Sequence, residues 1–274
     1  MHHVDDLAQA TQKRVEVAQR VAQHLPSAWQ AEVALVGSTA RGLADETSDV
    51  ELNVWAETLP PEADWRAWLT QGGVVNLSAV DLKPDGSRWI KGQLDAIDLE
   101  VGFQTFTEVE SYFEPLISAH DLSLERIHLA EILVHHHPLH TQGWLATFKR
   151  WLSTYPEALL IHLCTEAQAR WNMKYWQKLD RLAQRGEILE FRRLQTEDMI
   201  LTTRLLYALN RVWEPRPKWL LNHTRSLALQ PENYLQKVME IMTASAQTSL
   251  EHQKHLLNAV ILLIPEPFRF ESHF

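Results

Sequence analysis

The chain has 274 residues, 45% hydrophobic and 22% charged, with a formal net charge of −9 at pH 7. That length suits one large domain or two small ones, and the acid excess argues against a general nucleic-acid binder while leaving room for a nucleotide whose charge is met locally. No apolar run approaches the roughly 20 residues of a membrane span, the first stretch lacks a secretory h-region, and the single cysteine, Cys164, excludes an internal disulfide and fits a reducing cytoplasm.

In chain order, the spacing of Val15, Ala18, Val21, Ala22 and Leu25 predicts a helix over residues 5–25, stopped by Pro26. A strand over residues 32–36 runs into Gly37-Ser38, and a helical turn is expected over 38–42. The second strand covers 50–56. There Val50, Leu52 and Val54 alternate with Asp49 and Glu51, so the two acids share one strand face and the apolar residues the other. Neighbouring carboxylates repel and are commonly held together by a cation. Backbone N–H groups where a strand ends and a helix begins favour an anion. The two features together suggest a metal–nucleotide site.

Pro60-Pro61 marks a loop, and a helix over 62–69 ends at Gly72-Gly73. Residues 74–80 read as a third strand, Pro84-Asp85-Gly86 as a turn, and 88–90 as the return of a hairpin. The next strand is residues 94–103, where Ile97, Leu99 and Val101 alternate with Asp98 and Glu100. Both acids again share a face, and spacing alone does not choose between them. Helices are expected over 104–118 and 124–132, with a short strand over 133–137. His135, His136, His137 and His140 invite a zinc reading, but adjacent strand residues point to opposite faces, so the triplet cannot converge on one ion. From residue 142 the period is helical to the end: 144–151, 156–183, 189–213, 232–246 and 250–263, with Pro215 and Pro217 stiffening one connection. The expected fold is α+β, with a mixed sheet and its helices over residues 1–140 and an all-helical bundle over 141–274. Cys164 reads as a small buried apolar side chain.

Gly37-Ser38 followed by Ser48-Asp49-Val50-Glu51 resembles the signature of the DNA polymerase β-like nucleotidyltransferase superfamily. Glu in the second acidic place is similar to the kanamycin and lincosamide nucleotidyltransferases. The resemblance implies a palm-like sheet in which Asp49, Glu51 and a third carboxylate hold one or two Mg²⁺ ions. Leu99-Glu100-Val101-Gly102-Phe103 is similar to the corresponding strand of the kanamycin enzyme, which favours Glu100 over Asp98 as the third ligand. Gly37 and Ser38 would cradle the outer phosphates, with Arg41 adding positive charge.

Glu166 and Arg170 lie four apart and share a helix face, which by spacing alone reads as a surface ion pair worth a few tenths of a kcal/mol. The run from Glu166 through Arg170-Trp171 is also similar to a helix of the kanamycin enzyme. That likeness implies Glu166 as general base on the acceptor hydroxyl and Arg170, in place of the family's Lys, as a phosphate contact. The stretches 206–210 and Pro217-Lys218-Trp219-Leu220 resemble a segment of bacterial proteins with this domain pair, which would bring Lys218 to the nucleotide. The implied reaction moves a nucleoside monophosphate, AMP from ATP, to a hydroxyl of a small acceptor such as an antibiotic. The acceptor would lie between the two halves or across a homodimer interface, with no nucleic-acid or membrane partner. A protein-AMPylating enzyme of the toxin–antitoxin type and a non-catalytic nucleotide-binding module are the alternatives.

Overall fold

The computed structural model describes residues 4–271. The chain divides into two compact units, Met1–Ser118 with Leu129–Thr154, and Ala119–His128 with Tyr155–Phe274.

The first unit is built on a sheet. Among the described residues its strands are β1 (Glu32–Val36), β2 (Val50–Ala56), β3 (Asp81–Leu82), β4 (Arg88–Leu94), β5 (Ile97–Thr105) and β6 (His137–His140), in the order β3-β4-β5-β2-β1-β6. β2 and β5 run parallel, and the other neighbours are antiparallel. The helices of this part of the chain are α1 (Val4–Ala22), the single turn α2 (Gly37–Ala40), α3 (Glu62–Gln71), α4 (Phe106–Ile117), α5 (Leu124–Val134), which spans the division between units, and α6 (Trp144–Leu152). The strand alternation sends Leu35, Leu52, Val54, Leu99 and Val101 into a core closed by Val17, Ala18 and Val21 of α1 and by Trp65, Trp68 and Leu69 of α3. Trp65 stacks on Phe103 at 4.3 Å, and the indole N–H of Trp68 donates to the Val21 carbonyl at 3.0 Å. Burial of each such side chain contributes about 1.5–3 kcal/mol, which holds the apolar face of the sheet down, while Asp49, Glu51 and Glu100 stay half-buried.

The second unit is helical: α7 (Glu157–Arg170), α8 (Met173–Arg185), α9 (Ile188–Leu209), α10 (Tyr234–Thr243) and α11 (Ala246–Ile261). α9 is its spine, with Phe191, Leu201, Leu205 and Leu206 buried alongside the polar Gln195, Asp198, Thr202 and Thr203. Those polar groups are satisfied internally, as burial requires. Gln195 donates to Ser249 and Gln253, Gln253 donates to Asp198, and Thr203 shares a hydrogen bond with the Tyr234 hydroxyl. Burial pushes the Cys164 thiol up to about 11, so it is no thiolate nucleophile near neutral pH.

Several elements differ from the sequence expectation for local reasons. Residues 74–80 are not a strand. Asn76 takes a left-handed φ of 57° and kinks the segment, which meets β4 through the isolated Val75–Gln93 bridge and a few bonds made by Asn76 and Ser78 instead of a continuous ladder. The strand expected over 94–103 begins later, because Asp95 and Ala96, at φ 53° and 62°, form a two-residue turn joining β4 to β5. Such a turn needs positive φ at both central residues, and Ala hides the signal that Gly would have given. α5 runs on through Val134, so the short strand lies at His137–His140 instead of 133–137. The long helix expected over 156–183 is two. Trp171 leaves helical geometry at ψ 42°, and the Asn172 side chain accepts from Tyr175 N to cap α8. In the same way the Ser245 hydroxyl caps α11 and gives it Ala246, which the sequence reading assigns to the helix before.

Candidate active site

The acidic face of the sheet carries the site. β1 pairs antiparallel with β2, placing Val36 opposite Glu51, and β2 pairs parallel with β5, placing Glu51 beside Glu100. Asp49 stands one residue before β2, two from Glu51, and so shares its face. One carboxylate oxygen from each of Asp49, Glu51 and Glu100 lies within 4.8 Å of the others, and all three residues are half-buried. Asp98, the other candidate on β5, is exposed and accepts from Gln93 Nε2 at 2.8 Å. Hard carboxylate oxygens are the donors that Mg²⁺ and similar ions prefer, and three oxygens at this separation suit a divalent cation.

The surroundings fix these groups in place. Gly37 has φ 71°, and a Cβ built on it would fall 1.8 Å from Glu51 Oε2. Position 37 therefore favours glycine, for its backbone conformation and because a Cβ there would push the Glu51 carboxylate aside. Ser38 follows in α2, and the Thr39 hydroxyl donates to the Asp49 carbonyl at 3.3 Å. Asp45 Oδ1 accepts from Thr47 N and from the Thr47 and Ser48 hydroxyls, closing the loop before Asp49. Arg14 of α1 is buried and its Nε donates to the Ser48 carbonyl at 2.6 Å, clamping the residue next to Asp49. Lys91 of β4 is opposite Glu100 in register and ion-paired with Glu100 Oε1. The Glu100 bond and charge, with smaller help from Asp49 and Asp81, hold the Lys91 ammonium above the ordinary lysine range. Arg14 and Lys91 are absent from the sequence reading. Cross-strand register and a helix-to-loop bond of separation 34 leave no mark in local spacing.

The remaining candidates stand in other settings. Arg41 is nearly buried and ion-paired with Glu131 of α5. Glu166, in the helical unit, has a side chain 45% exposed and faces Arg204 Nη1 at 3.7 Å. Arg204 is itself held by the buried Glu214, whose other oxygen lies 3.3 Å from His128 Nε2. The ion pairs of Arg170 are with Asp198 at 2.6 Å and Glu197 at 2.9 Å, in place of the i,i+4 pair with Glu166 that spacing suggests. A phosphate contact would require Arg170 to leave those acids. Lys218 is exposed, its ammonium 5.7 Å from the Trp219 ring centre.

Residues 15–80 match the model of the nucleotidyltransferase domain family, a span that takes in the last turns of α1, Gly37-Ser38 and the Asp49–Glu51 pair. Residues 15–80 therefore carry a nucleotidyltransferase domain, which supports the resemblance to the DNA polymerase β-like superfamily. Residues 122–220 match a domain of unknown function, DUF4037, a span that takes in Glu166, Arg170, Arg204 and Lys218. Among solved structures the chain is similar to a nucleotidyltransferase-like protein from Exiguobacterium sibiricum, at 12% identity and a TM-score of 0.40, covering 93% of this chain and 76% of that one. No curated protein matches the chain. No described helix is long and apolar enough to cross a membrane.

Proposed function

We propose that this chain is a Mg²⁺-dependent nucleotidyltransferase that moves AMP from ATP to a hydroxyl of a small acceptor, an antibiotic being one candidate, in the cytoplasm. The observation that carries the reading is the meeting of Asp49, Glu51 and Glu100 within 4.8 Å on one sheet face beside Gly37. These three carboxylates would hold one or two divalent ions, which when bound supply positive charge against the triphosphate and the developing charge of pyrophosphate. The chain's own part is positioning. Arg14 and the Asp45 loop fix Asp49, and the β2–β5 register fixes Glu51 against Glu100. Gly37 and Ser38 give the outer phosphates a place without side-chain bulk.

In the reaction the acceptor oxygen forms a bond to the α-phosphorus, the bond from that phosphorus to the bridging oxygen breaks, and pyrophosphate leaves. Glu166 takes the hydroxyl proton, as a carboxylate within hydrogen-bond reach of the bound acceptor can. Lys218 adds charge for the nucleotide. Arg41 and Arg170 are paired with Glu131 and with Asp198 and Glu197, and either would meet a phosphate only by exchanging those partners for it.

The test is incubation with Mg-ATP and a panel of hydroxyl-bearing aminoglycosides and lincosamides. Pyrophosphate release and adducts are followed by mass spectrometry. Asp49→Asn should abolish turnover, and Glu166→Gln should lower kcat by about 10²–10⁴-fold with little change in the KM for ATP. Label found only on a protein partner would move the reading to protein AMPylation. ATP binding without pyrophosphate release under any condition would defeat it.

A further inference from the structure

We propose that Lys91 is a built-in counter-ion that holds the third carboxylate, Glu100, and gives way only when a divalent ion arrives together with a triphosphate. The inference rests on the reading of Asp49, Glu51 and Glu100 as metal ligands.

The geometry is specific. β4 and β5 put Lys91 and Glu100 directly opposite, and the ammonium is ion-paired with Glu100 Oε1. The same residue, Glu100, stands beside Glu51 on the other flank and belongs to the three-carboxylate group. An ammonium on that oxygen and a divalent ion among the same carboxylates repel each other, so the two compete. Lys91 is equipped to move. Its backbone is pinned by Ser78, whose N–H donates to Lys91 O at 2.9 Å and whose Oγ accepts from Lys91 N at 3.1 Å. Its side chain is 58% exposed and is a compact charge on a flexible stem. Leaving Glu100, whose side chain is 27% exposed, gives up a charge-assisted bond, and a bound triphosphate offers the displaced ammonium a new and more strongly anionic partner. Metal alone must evict the lysine into water, whereas metal with nucleotide offers it phosphate oxygens. The two ligands are therefore coupled through one side chain, and the coupling is reciprocal.

The experiment titrates Mn²⁺ into the full chain and into Lys91→Met, reading free Mn²⁺ by electron paramagnetic resonance with and without a non-hydrolysable ATP analogue. Without nucleotide, Lys91→Met should bind Mn²⁺ about tenfold more tightly than wild type, and the gain on adding the analogue should be smaller in the variant by a similar factor. Lys91→Arg, which keeps the charge, should resemble wild type, and thermal unfolding of all three should be alike. Equal or weaker Mn²⁺ binding by Lys91→Met without nucleotide would overturn the proposal. In that case Mn²⁺ binding by wild type that is lost in Asp49→Asn would leave the metal reading standing. Mn²⁺ bound by none of the proteins, with or without the analogue, would remove both.

Discussion

Two acidic centres in this molecule handle buried negative charge in opposite ways. In the helical unit, Asp198 is fully buried, and donors close on it from several directions: Arg170 at 2.6 Å, Trp171 Nε1 at 3.0 Å, the Tyr175 hydroxyl at 2.5 Å and Gln253 Nε2 at 2.5 Å. Burial raises its pKa, and the bonds from Arg170 and Tyr175 pull the other way. The hydroxyl of Tyr175 is pushed far up by burial and by the Asp198 charge, so it remains a donor. In the sheet unit, three carboxylates are turned toward one another, with a lysine on one of them. A carboxylate wrapped in donors knits a fold together. Carboxylates gathered face to face raise the local energy and ask for a cation. The difference separates an acid that serves stability from the acids proposed to serve chemistry more clearly than burial or charge alone.

The strongest way to break that contrast is a pair of isosteric substitutions. Asp198→Asn turns an acceptor toward donors into a donor among donors and takes away a counter-ion of Arg170. It should cost about 3–5 kcal/mol of unfolding free energy, measured with denaturant. Asp49→Asn relieves repulsion and should leave stability unchanged or slightly raised. Similar losses for both would erase the distinction. A smaller effect is expected for Gly37→Ala, whose Cβ would overlap Glu51 and whose φ of 71° suits glycine. It should cost about 1–3 kcal/mol and weaken Mn²⁺ binding at the same time, since the strain falls on a proposed ligand. Unchanged Mn²⁺ affinity would show that Glu51 is not part of the ion's shell.

The smallest effect sharpens the comparison with an acid that is plainly structural. Glu108 closes the capping box of α4 with Thr105 and is bonded to Arg88 at 3.0 and 3.1 Å. Burial pushes its pKa up, but the bonds from Arg88 and Thr105 outweigh that and hold it below the ordinary 4.5. A depressed carboxylate stabilises the fold above its unfolded value and loses that contribution as pH falls through its folded value. Glu108→Gln should therefore cost about 1 kcal/mol or less near neutrality, and the gap from wild type in thermal unfolding should close on acidification below 4.5. A gap that widened in acid would contradict the sign.

What could be read in the sequence follows from how local each signal is. β1 and β2 are legible to the residue because five and seven apolar or alternating positions are bounded by Gly, Pro and polar loops. The Asp49–Glu51 pair is legible for the same reason, since a two-residue period needs no partner strand. Features set by tertiary context are not. Asn76 and the Asp95-Ala96 turn depend on left-handed backbone, which Asn and Asp tolerate but which no glycine marks and Ala96 disguises. The break at Trp171 depends on Asn172 capping a new helix, although helical periodicity runs straight through it. Arg170 looks like half of an i,i+4 pair until α9 supplies Asp198 and Glu197. Lys91 acquires meaning only once β4 is laid beside β5.

The β5 strand is gripped on both edges, by β4 on one side and by the parallel β2 on the other. Sliding it by a single residue would have to unzip two ladders together and would turn Glu100 to the opposite surface. The spacing between carboxylates is thus calibrated by backbone hydrogen bonds and owes nothing to the length of the connector over residues 57–80. The largely exposed loop over residues 57–61 can be lengthened or grafted while the acidic trio keeps its gauge, whereas α3 behind it is tied to the core by Trp65 and Trp68.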